Sequence, residues 1–362
     1  MSLQSSEPTK PARRPTSAPI SPRHRAKTAW TPGGGNLPPS ARDAFTLRPT
    51  DVSLLRLMYR EKPDSLSGID PQLGASRLAK RLGIGRSRVA ARLSAWANSG
   101  FLSKYAVWLN PALLHHQGIW VKLWVDQPGL KPEVIRQISL IDGVVSATEF
   151  LGTEINLGMI GRDSVQLKRR LRLLGALAGV KEVGPVENWI HRDVERRLTP
   201  LEIRLVQTLR ADPMASLRDA ARRMGISERT FTRKYTALVE SSAVWFQPVF
   251  DFREVASAFI VLRAVLAPEA DTAAITHQLS SRYPLVVELA QETDVAIGAR
   301  VRQEWAVVLP SVASVDELTQ YATSLEGVED VEWSLPVRTY DFPHWFDERL
   351  DDLSSSDRHG VS

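Results

Sequence analysis

The feature that most constrains this chain is that its sequence runs through one pattern twice. "RLAKRLGIGRSRV" at 77–89 recurs as "LRDAARRMGISERTF" at 217–231, with Ala79 against Ala221, Leu82 against Met224, Gly83 against Gly225 and Ile84 against Ile226. Upstream, "LRPTDVSLLRLM" (47–58) recurs as "LTPLEIRLVQTL" (198–209). Downstream, "TEINLGMIGR" (153–162) lies without gaps on "QETDVAIGAR" (291–300), and "GVKEV" (179–183) on "GVEDV" (327–331). The matches keep their order, so a duplicated unit beginning near 47 and again near 198 is the economical reading. The fold must be one that can be built twice in 362 residues.

Each unit changes period partway. Leu54, Leu55, Leu57 and Met58 mark a short apolar helix; the linker after it is longer in the first unit ("EKPDSLSGIDPQLG") than in the second ("ADPMAS"). Two helices then meet at the Gly-Ile turn. Ala79 is small enough to let them cross closely, and Gly83 can end the first in a left-handed conformation without a Cβ penalty. Ile84 plugs the turn, and Gly85 or Ser227 occupies the next N-cap, where serine accepts an orphan backbone N–H. Val89, Leu93 and Trp96, like Phe231, Tyr235 and Leu238, recur at i, i+4, i+7 and predict a buried face. Arg86, Ser87, Arg88 and Arg92 are then expected outward, as are Glu228, Arg229, Thr230, Arg233 and Lys234 in the second copy.

"GFLSKYAVWLNP" and "SAVWFQPVFDF" read as two-stranded wings. Next, "GIWVKLWVDQ" alternates Ile119, Val121, Leu123 and Val125 on one face with Trp120 and Trp124 on the other, which predicts a strand covered on both sides. A helix (131–141), two strands (144–151, 155–161), a helix (163–178) and a strand (180–190) complete a β-α-β-β-α-β split motif. The second unit repeats it over 256–335, with extra length between Arg302 and Ser314. The expected class is α+β: winged helix-turn-helix domains at 46–112 and 197–252, each followed by a ferredoxin-like βαββαβ domain, at 117–192 and 255–338.

Composition excludes several classes. With 43% hydrophobic and 24% charged residues the chain is in the globular range, and no apolar run of about 18 residues exists to span a bilayer. "MSLQSSEPTKPARRPTSAP" lacks the apolar core of a secretory signal. There are no cysteines, which removes disulfides and thiolate metal sites; a cytoplasmic, nucleoid-associated location is expected. The net charge of +5 belongs to residues 1–45, where Lys10, Arg13, Arg14, Arg23, Arg25, Lys27 and Arg42 outnumber Glu7 and Asp43. Prolines and Gly33-Gly34-Gly35 predict disorder there, and 347–362 reads as a second disordered tail. The basic arm either adds non-specific phosphate attraction or is a solubilising extension.

On the residues "RLAKRLGIGRSRVAARLSAWANSGFLSKYAVWLNP" (77–111) and the βαββαβ unit after them, the chain resembles the leucine-responsive/asparagine-responsive (Lrp/AsnC) transcription regulators, as two subunits fused over roughly 47–338. The resemblance implies double-stranded DNA as partner, bound through Arg86, Ser87, Arg88, Arg92, Arg229, Thr230, Arg233 and Lys234. Arginine forks suit guanine edges and phosphates, with the second helix of each pair in a major groove. It also implies homo-oligomers through the sensor domains and an amino-acid-like effector near the loop between their second and third strands. The corresponding residues are Gly152, Thr153, Glu154, Asn156, Gln291, Glu292 and Asp294. Asp294 matches the family's acidic position, whereas Asn156 replaces it in the first copy and Gln291 stands where glycine is usual. Polar residues of an ordinary hairpin turn are the competing reading.

An alternative comes from another class. Siroheme decarboxylases resemble the same winged-helix plus β-α architecture, sometimes as a fused pair, and the resemblance implies histidines and basic residues near the third strand and its neighbours. Histidines stand at 24, 115, 116, 191, 277, 344 and 359, none within "TEINLGMIGR" or "QETDVAIGAR". His115-His116 read as surface linker and His191, beside Arg192 and Asp193, as a domain-junction contact. No phosphate loop, nucleophile elbow, carboxylate dyad or metal-ligand spacing is present. The chain is therefore expected to be a sequence-specific DNA-binding regulator and not an enzyme, with no cofactor and no metal. An assembly protein without DNA binding is a third reading. Because the two recognition helices differ in their outward residues, an asymmetric pair of half-sites is expected.

Overall fold

The helix pair forms where the glycines put it. In the computed structural model, which describes residues 45–60, 74–188, 194, 196–283, 286–294 and 300–359, α1 (Pro49–Arg60), α2 (Gly74–Leu82) and α3 (Arg86–Ser99) are matched by α6 (Pro200–Ala211), α7 (Leu217–Met224) and α8 (Glu228–Glu240). The basic segment 1–44 and His191 lie outside the described residues. Gly83 and Gly225 adopt φ of 64° and 69°, and the amides of Ile84 and Ile226 return to the carbonyls of Ala79 and Ala221, the closure that a left-handed residue allows. Ser227 caps α8 by accepting from the Thr230 amide. Val89, Trp96, Phe231, Tyr235 and Leu238 are buried, with Leu93 packed against them.

The two wings are one ribbon. β1 (Leu102–Leu109) and β6 (Val244–Phe250) are single strands that pair with each other, antiparallel, with Trp108 opposite Trp245. The expected two-stranded wing in each copy is corrected on this point. The cause is burial: Phe101, Trp108, Phe246 and Phe250 are almost wholly inaccessible, which an isolated hairpin in water could not achieve. Phe101 stacks on Phe250 with centroids 4.6 Å apart and Trp96 meets Phe101 edge-on, so a core residue of each copy completes the other.

The rest of each copy is the split motif. The first is β2 (Gln117–Val125), α4 (Lys131–Ile138), β3 (Val144–Phe150), β4 (Glu154–Gly161), α5 (Ser164–Gly175) and β5 (Val180–Asn188). The second is β7 (Ala258–Leu266), α9 (Thr272–Arg282), β8 (Val286–Asp294), β9 (Arg300–Leu309), α10 (Val315–Thr323) and β10 (Val328–Ser334). Strand orders β3-β4-β2-β5 and β8-β9-β7-β10 are equivalent. Ile119, Val121, Leu123 and Val125 pack on α4 and α5; Ile260, Leu262, Trp305 and Val307 pack on α9 and α10. The opposite faces meet, with Trp120, Val145, Phe150 and Ile160 sharing one core with Phe259, Val261, Ala306 and Val308.

Two further expectations are corrected. Val144 faces Met159 while Val286 faces Val307, so the extra length of the second copy lies in the β8–β9 hairpin. The counterpart of "TEINLGMIGR" is "VRQEWAVVLP" (301–310), not "QETDVAIGAR". Buried Gln303 stands where Ile155 does and conceals the apolar alternation. The C-terminal segment is also structured. β11 (Pro336–Asp341) adds to the first copy's sheet beside β3, and α11 (His344–His359) buries Trp345, Phe346 and Leu350. Its apolar residues cluster near one end of a polar helix, too few to show a period.

Candidate functional site

The second helices expose part of the expected cationic set. Arg86, Ser87 and Arg88 on α3, and Arg229 and Arg233 on α8, are exposed; Thr230 is half-buried, its hydroxyl 2.9 Å from that of Ser227. Arg92 and Lys234 differ from expectation. Arg92 donates to both carboxylate oxygens of Asp51, at 2.7 and 2.5 Å, and Trp96 Nε1 donates to the same carboxylate at 2.8 Å. Lys234 donates to Glu202 at 3.2 Å, alongside Arg196 at 2.7 Å. Arg92 lies three residues after Val89 and four before Trp96, within the buried stripe, so it cannot face outward. Burial pushes the Glu202 carboxyl up, but the Thr199 amide and hydroxyl with Arg196 and Lys234 hold it at about 2.

The expected effector residues separate. Gly152 (φ 83°) and Thr153 lie in the turn between β3 and β4. Glu154 is buried and receives Arg263 at 2.7 and 3.2 Å and the Ser334 hydroxyl at 2.8 Å. Arg263 also donates to Glu304 at 2.8 Å, which Lys122 reaches at 3.1 Å. Two cations and two anions thus close on each other between the sheets. Burial pushes the Glu304 carboxyl up, but Lys122 and Arg263 outweigh it and hold it below the ordinary range. Glu154 is already committed to a guanidinium and is not free to meet an amino group. Asn156 sits opposite Lys122. Gln291, Glu292 and Asp294 lie on β8, opposite Gln303, Arg302 and Arg300. By register they are not the counterparts of Gly152–Asn156, and the two sets form no symmetric pair.

A different group converges at the end of β2 and β4. Gln117 pairs with Gly161, which brings His116, just before β2, beside Arg162, just after β4. His116 is half-buried; its Nδ1 donates to the Leu114 carbonyl at 2.5 Å, so Nδ1 carries the proton of the neutral ring and Nε2 has the lone pair. Trp345 of α11 meets the ring edge-on with centroids 5.4 Å apart. Arg170 of α5 is buried and donates to the Ile160 carbonyl and to Asp142. Its guanidinium passes between Gly143 (φ 84°) and Gly161, where a Cβ on either would collide with it or with Leu167. Burial, then the charges of Arg349, Arg170 and Arg162, lower the proton affinity of His116 below the ordinary histidine value, against the Leu114 hydrogen bond. Sequence reasoning left His116 in a surface linker; the strand register was the signal that could have placed it. His115 and His277 are exposed, and no group of metal-ligating side chains occurs among the described residues.

No family profile matches the chain, and no curated protein does. Solved structures do. That of siroheme decarboxylase NirDL in complex with an iron-uroporphyrin III analogue is 15% identical, with 84% of this chain and 98% of that one covered at a TM-score of 0.46. AsnC from E. coli is 15% identical over 41% of this chain and 93% of its own (TM-score 0.25). An AsnC family regulator from Agrobacterium tumefaciens is 17% identical over 38% and 89% (TM-score 0.28). These likenesses concern architecture alone. The expectation that the chain is not an enzyme is corrected to this extent: among these structures the enzyme's is the one that covers 84% of the chain, against about two fifths for the regulators'. No helix among the described residues is long and apolar enough to cross a membrane. The chain's own elements give two copies of a helix-turn-helix followed by a βαββαβ unit.

Proposed function

We propose that the His116 corner binds a carboxylate-bearing tetrapyrrole and removes a side-chain carboxyl group as CO2. The observation that carries this is a half-buried histidine at the end of paired strands β2 and β4, its proton affinity lowered by burial and by the charges of Arg349, Arg170 and Arg162. The sequence resemblance to siroheme decarboxylases implies histidine and basic residues near the third strand, and His116, Arg162 and Arg170 occupy that place.

The chemistry follows from the charges. Arg170 is tied to Asp142 and Ile160 and acts as a fixed positive charge, while Arg162 is exposed and is available to a carboxylate. Loss of CO2 breaks the bond between a side-chain methylene and its carboxyl carbon and leaves the electron pair on the methylene, which must take up one proton. A bound carboxylate offsets the arginines, so His116 gains proton affinity as substrate arrives. Nε2 then takes a proton from solvent and delivers it to the methylene as general acid. The test is anaerobic incubation of the purified chain with siroheme-type tetrapyrroles, following CO2 and the absorption spectrum. Binding with CO2 release supports the reading; neither binding nor CO2 overturns it.

A second activity is favoured by Arg86, Arg88, Arg229 and Arg233 remaining exposed on α3 and α8. They equip the same chain to bind double-stranded DNA, at two dissimilar half-sites if both helices dock. Footprinting decides this; a preferred perfect palindrome counts against it.

A further inference from the structure

We infer that the chain carries one such site and not two: the first copy and the C-terminal segment build it, while the second copy serves as its scaffold. This rests on the His116 corner being the working site and specifies how many the fold contains.

The strand registers make the comparison residue by residue. β2 begins at Gln117 opposite Gly161, and β7 begins at Ala258 opposite Leu309. β5 meets Val125 through Val180, as β10 meets Leu266 through Val328. His116 therefore corresponds to Ser257, Gly161 to Leu309, Arg162 to Pro310 and Arg170 to Leu318. Every group that gives the corner its chemistry is replaced. Leu318 is fully buried in the second copy's core, so apolar packing fills the place of the Arg170 guanidinium. Ser257 instead accepts a hydrogen bond from the Leu47 amide at 3.3 Å, which fastens the start of the first helical unit.

The second part of the argument is the segment after the duplicated unit. β11 extends the first copy's sheet, and α11 brings Trp345 against His116. From the same helix Arg349 adds its charge to the histidine's surroundings, held by Asp352 at 2.8 Å. In the second copy the corresponding end of the sheet is met instead by the segment leading into α1, with Phe45 bridging Val255 and the Leu47 amide on Ser257. Arg349 is thus a positioning residue for a carboxylate, contributed once per chain.

The experiment is a spectroscopic titration of the full chain with the iron complex of uroporphyrin III. One equivalent per chain is expected. Arg170→Leu and His116→Ser, which install the second copy's residues, should each weaken binding at least tenfold, and Ser257→Ala should leave it unchanged. Arg349→Gln should weaken binding several-fold, with partial rescue by Arg349→Lys, while circular dichroism shows the fold retained. Two equivalents per chain, or loss of binding in Ser257→Ala, overturns the single-site inference alone. No binding by the unaltered chain overturns the proposed function and this inference together.

Discussion

Arg92 and Asp51 form a buried two-point ion pair between α3 and α1, and the duplication has kept its counterpart, Lys234 with Glu202, between α8 and α6. Asp51 is fully buried and Glu202 nearly so. In each copy, a basic residue of the would-be recognition helix is turned inward to fix that helix on the first helix of the unit. The exposed arginines are presented from a helix whose angle is set by this contact.

Removing one partner should leave the other charge buried and uncompensated. Arg92→Ala is expected to destabilise the fold by about 3–5 kcal/mol, the range for a broken buried pair, measured by denaturant unfolding. Replacing both Arg92 and Asp51 with apolar residues should recover much of that loss. A loss under about 0.5 kcal/mol in Arg92→Ala, the range of ordinary surface changes, would show that the pair does not hold the helix.

Glu202 supplies an acid limb to stability. Its carboxyl is held at about 2 against an ordinary 4.5, so the folded state binds its proton more weakly than the unfolded chain. The resulting stability is complete above about pH 4.5 and is lost as pH falls toward about 2. Glu202→Gln should flatten this part of the stability–pH curve, read by urea midpoints between pH 2.5 and 6. An unchanged slope would contradict the assignment.

His116 should titrate below 6.5 in the free chain. Arg349→Gln removes a positive charge and should raise that value; a bound carboxylate should raise it too. Ring-proton NMR checks both. A downward movement in either case would mean that the arginines do not set its charge.

For DNA, Arg88→Ala should cost about 1–3 kcal/mol on a preferred site if the side chain reads a base edge. Equal loss on all sequences would assign it to phosphate instead. Fluorescence anisotropy at fixed salt distinguishes them. Arg92→Ala, per folded molecule, should lose far less than Arg88→Ala.

Local features of this fold were readable from the sequence, and pairings between distant segments were not. Gly83, Ala79 and Ile84 specify the helix pair through backbone conformation and close approach, and the alternation in "GIWVKLWVDQ" specifies a strand covered on both faces. Nothing local states that β1 pairs with β6, because both strands were equally suited to a hairpin of their own. Arg92 was read as outward because it is charged, although its spacing from Val89 and Trp96 placed it in the buried stripe. His116 was illegible because Arg162, Arg170, Trp345 and Arg349 come from three separate elements. The gap-free match of 153–162 with 291–300 misled by its coincident residues, Glu154 with Glu292 and Arg162 with Arg300, while the true counterpart was disguised by Gln303.

The central claim is that His116 delivers the proton that replaces CO2. The most direct measurement is single-turnover CO2 release under anaerobic conditions from a siroheme-type tetrapyrrole, comparing the unaltered chain with a His116→Ala variant at saturating substrate. The account predicts CO2 from the unaltered chain and at least a hundredfold slower release from the variant, the scale of general acid catalysis, with binding still visible in the absorption spectrum. Equal rates in the two proteins would contradict it.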